Sequence, residues 1–90
     1  MSEYEEKGKQ IRENTKELVL DFMNGTTECK PLNEGMTLAE IFRECGLDWG
    51  HYENATSSNQ QYWLVALMRE FEKEGIATRD LNTKKWRLVK

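Results

Sequence analysis

Apolar residues near the start of the chain fall at Ile11, Leu18, Val19 and Phe22, with Thr15 on the same stripe. That three-to-four spacing predicts an amphipathic helix from about Tyr4 to Asn24, and Gly25 suits the left-handed position that closes many helices. Leu20 and Met23 fall off the stripe. The helix therefore either packs on two sides, the simpler explanation, or offers a small association surface. Thr26 to Gly35 holds Pro31, Asn33 and Gly35 without any apolar period, which predicts a loop. Thr37 followed by Glu40 then forms a capping-box pattern. Leu38, Ile41, Phe42 and Cys45 share one face of a second helix, and Gly46 stops it after about two turns.

From Gly46 to Ser57 the chain reads as a loop or a short helical turn anchored by Leu47, Trp49 and Tyr52. A third helix is predicted from Ser57 or Ser58, where Ser58 and Gln61 offer another capping box, to Glu74 before Gly75. Its buried stripe is Leu64, Leu67, Met68 and Phe71, with Trp63 at the edge. The period then changes to two. Ile76 and Thr78 alternate with Ala77 and Arg79, the polar run from Asp80 to Lys84 turns, and Trp86 and Leu88 alternate with Lys85, Arg87 and Val89. This is the pattern of an antiparallel hairpin. The expectation is an α+β fold in a single domain over 1–90, three helices with a C-terminal two-stranded hairpin.

Composition narrows the class. Ninety residues are too few for two domains, and 38% hydrophobic with 32% charged residues is ordinary for a globular chain. The longest apolar run, Trp63 to Met68, is far short of the roughly 20 residues that cross a bilayer. The polar, acidic N-terminus is unlike a secretion signal. The expected location is cytoplasmic, with no membrane partner, so the Asn-x-Thr patterns at Asn24 and Asn54 carry no glycosylation reading.

Cys29, Cys45 and the single histidine, His51, lack the four closely paired ligands of a structural zinc site. They read as buried or idle thiols and a turn or solvent-facing histidine. A disulfide is not needed in a reducing compartment. No nucleophile stands at a recognisable spacing from His51, and there is no glycine-rich phosphate loop, so neither an enzyme nor a cofactor is expected.

The net charge of −3 conceals an asymmetry: residues 1–54 carry six basic and twelve acidic side chains, residues 55–90 seven and four. The last fifteen residues hold five basic side chains against Asp80 alone, and local charge of this kind decides which surface can meet a phosphate backbone. The plain alternative is a solvated hairpin.

The order of three helices and a hairpin, the charged run from Met68 through Lys73 to Gly75 and Ile76, and the return through Lys84, Lys85, Trp86, Arg87 and Leu88 resemble the winged helix-turn-helix superfamily. The resemblance covers nearly the whole chain. It implies a small third strand over Met36 to Leu38 and a wing packed back on the core through Trp86 and Leu88. One departure is the long connection from Gly46 to Ser57, where the superfamily usually has three or four residues.

The superfamily includes nucleic-acid binders and modules that bind only proteins. In its DNA-reading members the start of the third helix enters the major groove and the wing lies along the backbone. Carried onto this chain, that implies Ser58, Asn59, Gln61, Tyr62 and Arg69 on an exposed helix face that includes Val65, with Arg79, Lys84, Lys85 and Arg87 on phosphates. The wing and the start of the third helix are expected to share one positive side. Asn59, Gln60 and Gln61 are also ordinary capping and solvent-facing residues. The leading expectation is a DNA-binding transcriptional or replication regulator on double-stranded DNA. The alternative is a winged helix for protein–protein contact. Few cations favour a homodimer, with Leu20 and Met23 as its candidate interface.

Overall fold

Helix α1 spans Glu3–Asn24 and starts with Ser2 as N-cap, whose Oγ accepts the Glu5 N–H at 3.1 Å. Glu3, Glu5 and Glu6 lie in its first turn, where the helix dipole favours negative charge. In the computed structural model, which describes residues 2–48 and 62–90, α1 is followed by a 3-10 turn at Thr27–Cys29, strand β1 at Met36–Thr37 and helix α2 at Leu38–Glu44. Helix α3 spans Tyr62–Lys73, and strands β2 at Ala77–Arg79 and β3 at Lys85–Leu88 complete the order.

The expected α+β fold is present among the described residues as three helices and a three-stranded antiparallel sheet ordered β1-β3-β2. β3 is central: Met36 and Arg79 both pair with Trp86, Thr37 with Lys85, Thr78 with Arg87 and Ala77 with Leu88. The third strand expected near Met36 is there, though Leu38 already belongs to α2. None of the described helices is long and apolar enough to cross a membrane.

The helix ends follow their capping chemistry. Thr37 and Glu40 make the full capping box, with the Glu40 N–H on Thr37 Oγ1 at 3.2 Å and the Thr37 N–H on Glu40 Oε1 at 3.3 Å. Donation to Glu40 Oε1 from the Thr37 hydroxyl, at 2.8 Å, and from the Thr37 N–H holds the Glu40 carboxyl below its ordinary pKa. Both α2 and α3 end on a left-handed glycine. Gly46 (φ 73°) donates to the Arg43 carbonyl and Leu47 to that of Phe42, while Gly75 (φ 76°) donates to Glu72 and Ile76 to Phe71. This double closure, with an apolar residue beyond the glycine, is the Schellman motif. Gly25 does not take the expected left-handed form; at φ −91° it only continues the last helical turn.

The core draws on every element: Val19 and Met23 of α1, Cys29, Ile41 and Phe42 of α2, Leu64, Leu67, Met68 and Phe71 of α3, and Ala77, Trp86 and Leu88 of the sheet. Two expectations are corrected. The buried line of α1 is Thr15, Val19 and Met23, while Ile11 and Leu18 are exposed and Leu20 and Phe22 only lean on the core. Met23 is therefore a core residue and unavailable as an association surface. In the hairpin, Ala77 faces inward with Arg79, whereas Ile76 precedes β2 and Thr78 points to the other face.

α1 is tied to α3 by Lys16, whose Nζ lies 3.5 Å from Glu70 and 3.6 Å from Glu74 and stands 5.9 Å over the Phe71 ring. Burial opposes the charge on Lys16, but the carboxylates of Glu70, Glu74 and Glu13 outweigh it and raise the ammonium pKa.

Trp86 is 2% exposed, and its strand admits Gly35 at contact range: a Cβ on Gly35 (φ +85°) would lie 2.5 Å from the Trp86 carbonyl oxygen. Gly35→Ala should therefore lower stability by at least about 2 kcal/mol, combining left-handed strain with a backbone clash. Met23→Ala should cost about 2–5 kcal/mol. Leu81→Ala, at a site 83% exposed, should stay within about 0.5 kcal/mol. Urea denaturation of the three variants against the parent checks all of these.

Candidate nucleic-acid interface

Strand alternation divides the cations of the hairpin between two faces. Trp86 and Leu88 point into the core, so Lys85 and Arg87 point to the opposite face beside Thr37 and Thr78. Arg79, paired directly with Trp86, lies on the inner face of the sheet at its open end. Its Nε is buried with no hydrogen-bond partner among the described residues. The four wing cations are thus not gathered on one face, contrary to the expectation of a single positive side.

The inner face instead brings together two arginines and an indole. Arg69 of α3 sits with its guanidinium carbon 5.8 Å from the Trp86 ring centroid, and its Nη1 donates to Glu72 Oε1 at 2.9 Å. Trp86 thus has an arginine from α3 over its ring and one from β2 as its cross-strand partner. The ring packing orients Arg69 and the carboxylate reduces its net charge.

On the outer face, Lys85 Nζ is 3.9 Å from Glu34 Oε2, and Lys85 and Arg87 line a shallow groove of about 340 Å³ with Leu32, Glu34 and Asp80. These cations are accompanied by carboxylates. The long distance and the 89% exposure of Glu34 make that ion pair weak.

The tip of the hairpin is fixed by Asp80. Its Oδ1 accepts the N–H of Asn82 at 2.8 Å and of Thr83 at 2.9 Å, while the backbone closes through Asp80 N–H to Lys85 O and Lys84 N–H to Asp80 O. The two backbone donors hold the Asp80 carboxyl below its usual range. Lys84 takes the left-handed position that ends the turn, φ 62°, and is exposed.

Along α3, the first turn carries no acidic side chain, and Trp63, Val65, Ala66 and Arg69 are exposed, as expected of a face opposite Leu64, Leu67 and Phe71. Trp63 meets Phe42 edge to face at 6.4 Å while remaining 44% exposed. Tyr62 is the first residue of α3. Ser58, Asn59 and Gln61, with the second capping box, the neighbouring Gln60, His51, and the anchors Trp49 and Tyr52, lie outside the described residues; Leu47 packs on the core as expected.

Sequence reasoning missed the inward arginine. A charged residue opposite a core tryptophan reads as a solvent-facing position, and only the strand register places it.

Both cysteines are free thiols. Cys29 is fully buried, and burial, reinforced by Glu28, pushes its pKa up to about 11; burial likewise raises Cys45. Comparison with family models, with curated proteins and with solved structures returned no match for this chain.

The Cys29 thiol carries a pH signature. Its folded pKa lies above that of an unfolded thiol near 9.0, so its contribution to stability is complete below pH 9 and lost as pH climbs toward 11. Urea midpoints of the parent should fall across that window, and those of Cys29→Ala should fall less steeply.

Proposed function

We propose that this chain is a winged-helix module that binds double-stranded nucleic acid through α3 and the adjoining hairpin, as a transcriptional or replication regulator does, without chemistry of its own. The element order α1, β1, α2, α3, β2, β3 and the β1-β3-β2 sheet support the winged-helix reading. The observation that carries the binding proposal is that Arg69 of α3 and Arg79 of β2 both adjoin Trp86, the first with its guanidinium over the indole and the second as its cross-strand partner. Helix and hairpin thus each bring an arginine to that residue. Lys84 in the hairpin turn adds an exposed cation, and the start of α3 offers no carboxylate to repel a phosphate. Lys85 and Arg87 serve as secondary contacts, since Glu34 and Asp80 accompany them.

A second reading, a protein-binding module, is favoured by Trp63 and Val65, apolar and exposed on α3. It is also favoured by a groove of about 500 Å³ in which Phe22 and Met36 are surrounded by Glu28, Glu34, Glu40 and Glu44. The two readings diverge in salt dependence.

Titrating a mixed-sequence duplex should show binding at low salt whose log–log salt slope reflects roughly 0.9 counterion per phosphate contact. Changing Arg69 and Arg79 together to Ala should abolish most of it. Removing Lys84, Lys85 and Arg87 should flatten the slope by up to about 3, because each neutralised phosphate contributes nearly one unit. Absence of binding at low salt, or binding indifferent to both sets of changes, would favour the protein-partner reading.

A further inference from the structure

The first half of α1 touches nothing: every residue from Ser2 to Asn14 is exposed, so about 18 Å of helix stands clear of the domain body. A bare helical segment of this length is marginal alone in water. Yet its apolar residues are in register. Tyr4, Ile11 and Leu18, exposed at 83%, 65% and 42%, recur every seven residues, and Gly8, four after Tyr4 and three before Ile11, completes the exposed stretch of a heptad seam. This line lies to one side of Thr15, Val19 and Met23, which face the core. Gly8 is helix-weakening where it stands, and a Cβ there would meet nothing within 4 Å, so nothing inside the domain explains it.

We infer that the projecting half of α1 pairs antiparallel with the same segment of a second copy of this chain. Charge selects both the partner and the direction. With Gly8 of one copy opposite Ile11 of the other, Glu5 comes beside Arg12 of the second copy on both sides of the two-fold axis. A parallel pair would instead set Lys7 against Arg12 twice.

Among the described residues neither Glu5 nor Arg12 has an ion-pair partner within its own chain, whereas Lys7 is already engaged by Glu3 at 3.1 Å. The register pairs the exposed halves and leaves the two bodies, which begin at Thr15, at opposite ends. Gly8 then lets the Ile11 side chain of the other copy approach the helix backbone.

Sedimentation equilibrium of the full chain without nucleic acid, up to about 1 mM, tests the pairing over the range in which weak specific contacts register. The expected result is a concentration-dependent dimer that Ile11→Asp reduces to monomer with an unchanged circular dichroism spectrum. Glu5→Arg and Arg12→Glu should each weaken it by roughly five- to tenfold, and the double variant should restore it, as expected of two coupled ion pairs. A monomer at every concentration, or a dimer unaffected by Ile11→Asp, overturns the inference. An Arg12→Glu dimer tighter than the parent indicates parallel pairing and overturns it equally. None of these outcomes depends on nucleic-acid binding.

Discussion

The burial of Trp86 in the central strand is the constraint on which the other elements depend. One indole, at a position that pairs with Met36 on one side and Arg79 on the other, fixes the register of both edge strands. The backbone carbonyl of the same residue excludes a side chain at position 35, and the ring supports the guanidinium of Arg69 on α3 and contributes to the core shared by all three helices. In a chain of ninety residues with a modest apolar fraction, few side chains supply this much buried area. The relation between α3 and the hairpin follows from how this ring is packed.

Features legible in the sequence are those in which chemistry is local. The Thr37–Glu40 box, the left-handed glycines at 46 and 75, the α3 stripe and the turn centred on Asp80 each depend on residues three to five positions apart. Their partners are therefore written beside them. The side of α1 that meets the core was not legible in the same way. Two apolar lines run along that helix at a small angle to each other, one through Ile11 and Leu18 and one through Val19 and Met23, and only contact with distant strands selects between them.

The hairpin shows the same limit from another direction. Each alternating pair, Ile76 with Thr78 and Ala77 with Arg79, mixes an apolar and a polar residue, so the phase of alternation in β2 is set by pairing with β3 and not by its own composition. That phase decides that Arg79 faces Trp86 and separates it from Lys85 and Arg87. The expected gathering of these cations on one side is thus undone by the strand register. The helix-tip residues Ser58, Asn59 and Gln61 fall outside the described residues, while Arg69 is held in place by contacts that its own helix and the sheet provide.

The brevity of the outer strands has a consequence of its own. β1 has two residues and β2 three, flanking the four of β3, so neither margin of the sheet offers a run of free amides and carbonyls long enough to template another chain. The ribbon is therefore a poor template for sideways addition of strands from neighbouring copies.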